Sequence, residues 1–405
     1  MNILFLSLSF STANHRSFYE DLLMEFQNHG HHVYVVCAKE KRAIENPGIN
    51  KREDGLTILR VPTGNITGSV PLLKKGIATL MIDYQFLKAI NRHIKEVEFD
   101  LVLYPTPPIT LVNTITIIKK RTKAKTYLLL KDIFPQNAVD LGMMKKHGIK
   151  GLIYKYFRRK EQRLYRVSDF IGCMSPANVE YVLKHNPELS EKIVEVCPNC
   201  LKVPSVMPNF DRDNKEWRSR YGIPKSSIVF LYGGNLGKPQ GIDFLIKCLY
   251  EVSNNESAFF LIIGDGSEYK KIKSFIDQEK PKNVKLLHYL PKEEYQSISN
   301  LCDVGMIFLD HRFTIPNFPS RILNYLASGN PVLTVTDPNT DIGLIARQNG
   351  FGLDCESNNV NEFVKAVDEI ITADRVAMGK SGWEYLNNNW APENGYKIIM
   401  NHFNA

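Results

Sequence analysis

Phe318-Pro319-Ser320-Arg321-Ile322-Leu323-Asn324-Tyr325-Leu326-Ala327-Ser328-Gly329-Asn330-Pro331-Val332-Leu333-Thr334 reads as a loop, a short helix, a stop and a buried strand. Ser320 has the character of an N-cap, with the unbonded N–H groups of a first helical turn behind it. Gly329 ends the helix, and the apolar run from Val332 is a strand buried on both faces. Arg321 adds a fixed positive charge at the helix start. A helix N-terminus beside an arginine suits an anion, most simply a phosphate. The same residues also read as an ordinary capped helix, and most capped helices bind nothing.

The pattern repeats on both sides. In the second half, strands are expected at 228–232, 259–263, 284–287, 304–308 and 332–335. Helices are expected at 242–252, 268–278, 293–299, 320–327 and 360–372. The first half alternates in the same way, with strands at 3–8, 33–38, 56–61, 101–104, 126–130, 170–174 and 193–196. Helical patterns there include 16–28, 75–96 and 176–184. Alternation of this kind predicts an α/β protein with doubly wound, mostly parallel sheets. The alternation breaks between Pro198 and Lys225, where four prolines punctuate a polar stretch containing Asn209, Asp211, Asp213 and Asn214. That break is read as the interdomain connection. The expected domains are 1–202 and 203–383. A helical tail, 384–405, either caps the second domain or crosses back to the first. Two such domains leave a cleft, and ligands bind these sheets outside the carboxyl ends of the strands.

With 405 residues, 43% hydrophobic and 23% charged, the chain has the composition of a soluble globular protein of two domains. No apolar run reaches the length of a spanning helix. Met1-Asn2-Ile3-Leu4-Phe5-Leu6-Ser7 has no basic leader region and runs into the first strand, so no signal peptide is expected. The seven cysteines are scattered, which fits reduced, buried thiols in a cytoplasmic protein. Cys197-Pro198-Asn199-Cys200 has redox or zinc spacing but no second Cys or His pair nearby, so no metal site is read there. The net charge of +8 is concentrated at 145–166. Lys145, Lys146, Lys150, Lys155, Arg158, Arg159, Lys160, Arg163 and Arg166 face only Glu161 there, interleaved with apolar residues. Such a helix is either the solvated face of a core helix or a dock for an anionic membrane surface. No groove-reading motif accompanies it, so no nucleic acid partner is expected.

Three further turns open on the rim that holds Arg321. Tyr232-Gly233-Gly234-Asn235-Leu236-Gly237-Lys238-Pro239-Gln240-Gly241 follows the first strand of the second domain. Its glycines let backbone N–H groups approach an anion, and Lys238 adds charge. The spacing is neither the dinucleotide fingerprint nor the P-loop. Ile263-Gly264-Asp265-Gly266 ends the next strand, and Leu286-Leu287-His288-Tyr289-Leu290-Pro291 the one after. Singly each is a tight strand–helix turn. Together they form a pocket for a nucleotide, with main-chain groups to hold a planar base.

In this order the motifs resemble glycosyltransferase family 4, and within it the bacterial L-fucosamine and amino-deoxysugar transferases of O-antigen and capsule assembly. The resemblance covers nearly the whole chain and is most specific in the second half. In the first half, Lys131-Asp132-Ile133-Phe134-Pro135 resembles that group's Asp-Leu-Trp-Pro loop, and Tyr104-Pro105-Thr106-Pro107-Pro108 a strand-end loop near its acceptor site. The resemblance implies a GT-B fold, with two Rossmann-like domains facing a cleft. It also implies a retaining transferase with a UDP-sugar donor, a lipid-linked or saccharide acceptor, no cofactor and no metal. Work at the cytoplasmic face of the inner membrane follows from the acceptor. The sequence departs from the family at several points. Of its two glutamates, the ribose-holding one falls on Asn324 and the sugar-contacting one near Pro316. Its phosphate-turn arginine and lysine fall on Asn235 and near Gln240. Ser9-Phe10-Ser11-Thr12-Ala13-Asn14-His15 replaces its glycine pair.

With the family's own cations replaced, Lys238 and Arg321, with the N–H groups around Gly234 and Arg321, are expected to stabilise the leaving diphosphate instead. Asp132 would orient the acceptor hydroxyl or the sugar; it reads equally as the cap of a turn before Pro135. Gly234, Asn235, Gly237, Gly264, Asp265, Gly266, Tyr289, Pro319, Ser320 and Asn324 would hold the nucleotide. His15, Lys131, Pro316, Asn317 and Phe318 would meet the acceptor or the sugar. Competing readings are a nucleotide-sugar 2-epimerase of the same architecture and a non-catalytic scaffold.

Overall fold

The structure, a computed structural model, describes residues 1–10, 18–43, 45–66, 70, 72–148, 151–189, 193–208 and 215–403, with the side chains of 72 and 73 left out. His15, Lys150 and the polar run 209–214 lie outside the described residues. In chain order the elements begin with β1 (Asn2–Ser7), α1 (Phe18–Asn28), β2 (His32–Glu40), β3 (Gly48–Lys51) and β4 (Thr57–Thr63). Next come α2 (Leu72–His93), β5 (Leu101–Pro105), α3 (Val112–Thr122), β6 (Lys125–Leu130), α4 (Gln136–Asp140), α5 (Gly151–Val167), β7 (Phe170–Cys173), α6 (Pro176–His185) and β8 (Val194–Val196). The second half holds α7 (Lys215–Tyr221), β9 (Ile228–Gly233), α8 (Ile242–Glu251), β10 (Ala258–Ile263), α9 (Tyr269–Glu279), β11 (Val284–Leu287), α10 (Lys292–Leu301) and β12 (Val304–Phe308). It closes with α11 (Arg321–Ala327), β13 (Val332–Thr336), α12 (Ile342–Gln348), β14 (Gly352–Glu356), α13 (Val360–Thr372), α14 (Arg375–Asn389) and α15 (Pro392–Met400).

The chain forms two compact units, Met1–Cys200 with Pro392–Ala405, and Leu201–Ala391. Among the described residues the first unit has one sheet in the order β3-β4-β2-β1-β5-β6-β7-β8. Its pairs are parallel except β3 with β4. β1 is central, with Phe5 opposite Val35 of β2 and Leu103 of β5. On one face Phe26 of α1 and Ile399 of α15 complete the core around Phe5, Leu103 and Tyr127. The terminal helix thus belongs to the first unit.

The second unit's sheet runs β11-β10-β9-β12-β13-β14, all parallel. Its inner strands β10 and β12 are buried on both faces and read as unbroken apolar runs, such as Phe259 to Ile263. Phe230 stacks on Phe260 at 5.1 Å between ring centroids, and Phe363 of α13 closes over Phe260 and Phe308. Since every pair is parallel, the carboxyl ends of β9, β10 and β11 share one edge. β3 and β14 went unforeseen. β3 is a short edge strand, Gly-Ile-Asn-Lys, with three exposed residues, and β14 ends in the polar Asp-Cys-Glu. Neither carries the apolar run that marks a buried strand.

Candidate functional site

In the second unit the three turns at the carboxyl edge are bonded to one another. Gly234 N–H donates to the Ile263 carbonyl (2.9 Å), Gly264 N–H to Leu287 (3.1 Å), and Leu236 N–H to Asp265 (2.9 Å). A Cβ on Gly264 would lie 1.8 Å from the Gly234 carbonyl oxygen, and one on Gly266 2.3 Å from that of Leu236. These glycines are therefore needed where backbone meets backbone. Gly234 itself has φ of +123°, open to glycine and rare for other residues.

Arg321 lies under this turn. Its guanidinium carbon is 4.6 Å from the centroid of the buried Tyr232 ring and 3.6 Å from where a Gly234 Cβ would be. One guanidinium nitrogen, Nη1, is buried without a hydrogen-bond partner. A buried, unpaired cationic donor is costly unless an anion meets it. The Tyr232 ring contacts the guanidinium at cation–π distance. Lys238 is exposed and opens a single 3-10 turn, Lys238–Gln240.

The backbone side of the anion reading needs correction. The N–H groups of Gly234 and Leu236 go to carbonyls, and that of Gly237 to Gln240 Oε1 at 3.1 Å. Ile322 and Leu323 N–H donate to Pro319 and Ser320 carbonyls at 3.2 Å each. Ser320 stands at the expected N-cap position, but it has helical angles, φ −62° and ψ −9°, and makes no side-chain capping bond. A residue already in the helical region cannot aim its hydroxyl back at the first turn. Asn235 Nδ2 donates to Gln240 Oε1 at 3.0 Å. The two amides that replace the family's arginine and lysine are thus bonded to each other.

Asp265 Oδ2 accepts Tyr289 N–H and its Oδ1 pairs with His288 Nδ1, both at 2.8 Å. These two bonds, the backbone one foremost, hold its carboxyl below the usual range. Tyr289 N–H is consequently engaged, and what that residue offers a planar base is its ring, 71% exposed. Asn324 and Pro319 are half-buried on and before α11. Three expected sugar contacts turn inward. Phe318 is buried edge-on against Trp390, with centroids 5.4 Å apart and planes at 88°. Pro316 is buried. The Asn317 amide bends back to the Ile315 carbonyl (3.3 Å), while its N–H donates to Thr340 Oγ1 (3.0 Å). Asp337 accepts from the same Thr340 hydroxyl, and burial pushes its carboxyl up to about 6. Apolar packing at Phe318 and internal hydrogen bonds at Asn317 compete with a solvent-facing role.

In the first unit, Thr106 Oγ1 accepts the N–H groups of Lys131 (3.0 Å) and Asp132 (3.1 Å). The loop after β5 thereby braces the loop after β6. Asp132 Oδ1 accepts Asn137 Nδ2 at 2.6 Å. Burial pushes the Asp132 carboxyl up to about 6, against the opposing pull of the Asn137 and Ile133 N–H donors. A carboxyl poised there exchanges protons near neutrality. Lys131 does not face a ligand: its ammonium donates to the Cys197 carbonyl (2.9 Å), and burial lowers its pKa. Thr106 and Asn137, which set Asp132, carry no sequence signal beyond their proximity to prolines. Arg158 of the basic helix is also engaged, with Glu161 (2.6 Å), the His185 carbonyl (2.9 Å) and Asn186 (2.7 Å). It ties α5 to α6 and does not contribute to a free cationic face.

Residues 213–383 match the model of the family described as glycosyl transferases group 1. The chain carries a glycosyltransferase domain. Among curated proteins, the probable glycosyltransferase WbjE of Pseudomonas aeruginosa is 25% identical over 363 residues, 89% of this chain and 85% of that protein. The putative colanic acid biosynthesis glycosyl transferase WcaI of Escherichia coli is 20% identical, with 84% of each chain covered. A crystal structure of Anabaena Alr3699/HepE in complex with UDP superposes with a TM-score of 0.67 at 13% identity, covering 100% of both chains. The fold of this glycosyltransferase is GT-B, built from two Rossmann-like units, and the enzyme is a transferase. Among the described residues no helix is long and apolar enough to cross a membrane.

Proposed function

We propose that the chain is a retaining family 4 glycosyltransferase of surface polysaccharide synthesis, O-antigen or capsule. In this reading it moves an N-acetylated amino-deoxysugar from a UDP-sugar to a lipid-linked or saccharide acceptor. The observation that carries it is the buried, unpartnered Arg321 Nη1 beneath the glycine turn at Gly234. Breaking a glycosidic bond leaves negative charge on the nucleoside diphosphate. A fixed guanidinium stabilises that charge as it develops, with Lys238 as a second, mobile cation and no metal ion required. The turns of Gly264, Asp265 and Gly266 and the Tyr289 ring take the base, and Asn324 offers a neutral amide to the ribose. Asp132 receives or orients the acceptor hydroxyl, Asn137 and Thr106 setting its position. UDP as the nucleotide is supported by the HepE complex, and polysaccharide work by the WcaI description. A lipid-linked acceptor favours a peripheral place on the anionic cytoplasmic face of the inner membrane, where the cations of α5 serve.

The test is donor turnover. The purified chain is screened against nucleotide sugars by thermal shift, and UDP release is followed with and without acceptor in the presence of EDTA. Acceptor-dependent UDP release that survives EDTA is the expected result. Acceptor-free isomerisation of the sugar, or binding without turnover, refutes the proposal.

A further inference from the structure

The long helix α2 is apolar on two faces. Ala78, Ile82, Phe86 and Ile90 are buried in the first unit. On the outer side Ile77, Leu80, Met81 and Tyr84 follow the spacing i, i+3, i+4, i+7, and they are 57%, 51%, 45% and 61% exposed. A continuous outward stripe of this size on a helix marks an interaction surface. Lys74 precedes it, and Lys88 and Arg92 follow it. Lys88 Nζ lies 6.0 Å from the Tyr84 ring centroid. Among the described residues none of these three cations is ion-paired.

The neighbouring helices extend the same character. Asp83 of α2 accepts Thr114 N–H (2.9 Å) and hydroxyl (2.7 Å) of α3, and Arg163 of α5 donates to Asn113 of α3 (3.2 Å). α3 therefore sits between α2 and α5 in one layer. Ile117 of α3 and Leu152, Ile153 and Tyr156 of α5 are exposed as well. The acidic residues of these three helices are Asp83 and Glu161, and both are buried and bonded internally. Beside the stripe, α2 and β4 enclose a groove of about 400 Å³ lined by Leu59, Val61, Pro62, Gln85, Lys88 and Arg92. Gln85 Oε1 there is buried without a partner.

We infer that α2 is the membrane-inserting element of this protein. Its Ile77–Leu80–Met81–Tyr84 stripe enters the acyl boundary of an anionic phospholipid bilayer, and the Lys88–Arg92 groove receives a headgroup phosphate. Charge selects this occupant. A layer with exposed cations and apolar side chains, and no exposed carboxylate, matches an anionic lipid surface. A second copy would bring identical cations against it with no acid to pair them. Gln85 Oε1 accepts from a headgroup hydroxyl, as phosphatidylglycerol provides. Tyr84 sits at headgroup depth, its ring apolar and its hydroxyl wet. The inference rests on the lipid-surface component of the proposed function and is independent of the sugar chemistry.

Flotation tests it with the full chain on phosphatidylcholine vesicles with and without phosphatidylglycerol. Three variants are compared with the native chain: Leu80→Ser with Met81→Ser, Lys88→Ala with Arg92→Ala, and, on α5, Lys155→Ala with Arg159→Ala. All these side chains are outward, so melting temperatures should match and serve as the folding control. The expected result is binding that needs phosphatidylglycerol and weakens about tenfold in the Ser pair. It also includes a blue shift of Tyr84→Trp fluorescence on adding those vesicles. If the native chain floats and both α2 pairs float equally well, the inference is wrong while a membrane role through α5 stands. Binding indifferent to lipid charge overturns the inference too. A native chain that never floats removes both readings, and a dimer dissolved by the Ser pair assigns the stripe to a second copy.

Discussion

Asp132→Asn should make the first unit more stable at neutral pH, by an amount that shrinks in acid. The carboxyl moves from an ordinary 3.8 to about 6 on folding because burial disfavours the anion. The fold therefore prefers the neutral acid. A raised carboxyl pKa destabilises the fold most where both states are ionised, and the penalty is relieved as pH falls through 6 toward 3.8. The linkage gives about 3 kcal/mol at pH 7.5 and about 1 kcal/mol at pH 4.5. Asparagine keeps an oxygen for the Asn137 amide, now 2.6 Å from the carboxylate, and it cannot ionise. The variant should thus gain about 3 kcal/mol at pH 7.5 and about 1 kcal/mol at pH 4.5, less any loss at the Ile133 N–H. The three tryptophans, Trp217, Trp383 and Trp390, all lie in the second unit. Amide hydrogen exchange at β6 and β7 is therefore the assay for the first unit, at both pH values. Subtracting native from variant cancels the titrating groups that do not feel Asp132; Glu161, whose carboxyl Asp132 helps to raise, changes with it. A variant less stable at pH 7.5, or a difference that does not change with pH, refutes the burial argument. If Asp132 also acts as the ionised partner of the acceptor, the native rate falls below pH about 6 and the variant has a low rate without that limb.

Arg321→Ala should lower turnover roughly 10²- to 10³-fold in a UDP-release assay. Arg321→Lys should recover little of it, because a compact ammonium lacks the planar, several-donor guanidinium that sits 4.6 Å from the Tyr232 ring. Gly264→Ala must push apart a pair of turns whose atoms would otherwise come within 1.8 Å. Titration calorimetry should show donor affinity reduced by about an order of magnitude, with about 1–3 kcal/mol of stability lost. Phe318→Ala should act through packing against Trp390. It should lower the second unit's stability by about 3 kcal/mol by tryptophan-monitored unfolding, with the order of preference among donor sugars unchanged.

The strands of both units were legible because parallel sheets demand residues apolar on both faces. Phe259 to Ile263 cannot be read otherwise. β3 was hidden because an edge strand has one partner and needs no apolar run. The carboxyl-edge turns were legible as glycine-bearing loops, but not the reason for the glycines. Gly264 and Gly266 answer to the backbone of Gly234 and Leu236, which are distant in sequence. Side-chain direction was the least readable property. Phe318 and Lys131 stand in motif positions, yet packing against Trp390 and a bond to the Cys197 carbonyl turn both inward. Ser320 has a capping side chain and a backbone already in the helix. Periodicity finds α2 but does not say which of its two apolar faces meets water.

The return of α15 to the first unit has a consequence for synthesis. Leu201 N–H donates to the Trp390 carbonyl at 3.0 Å, so the chain leaves one unit and comes back to it at neighbouring points. On the ribosome residues 201–391 emerge before Ile399 and Met400, which fill the sheet begun by Phe5. The half that is translated first must therefore wait, with an unfinished hydrophobic face, until the other half is already made.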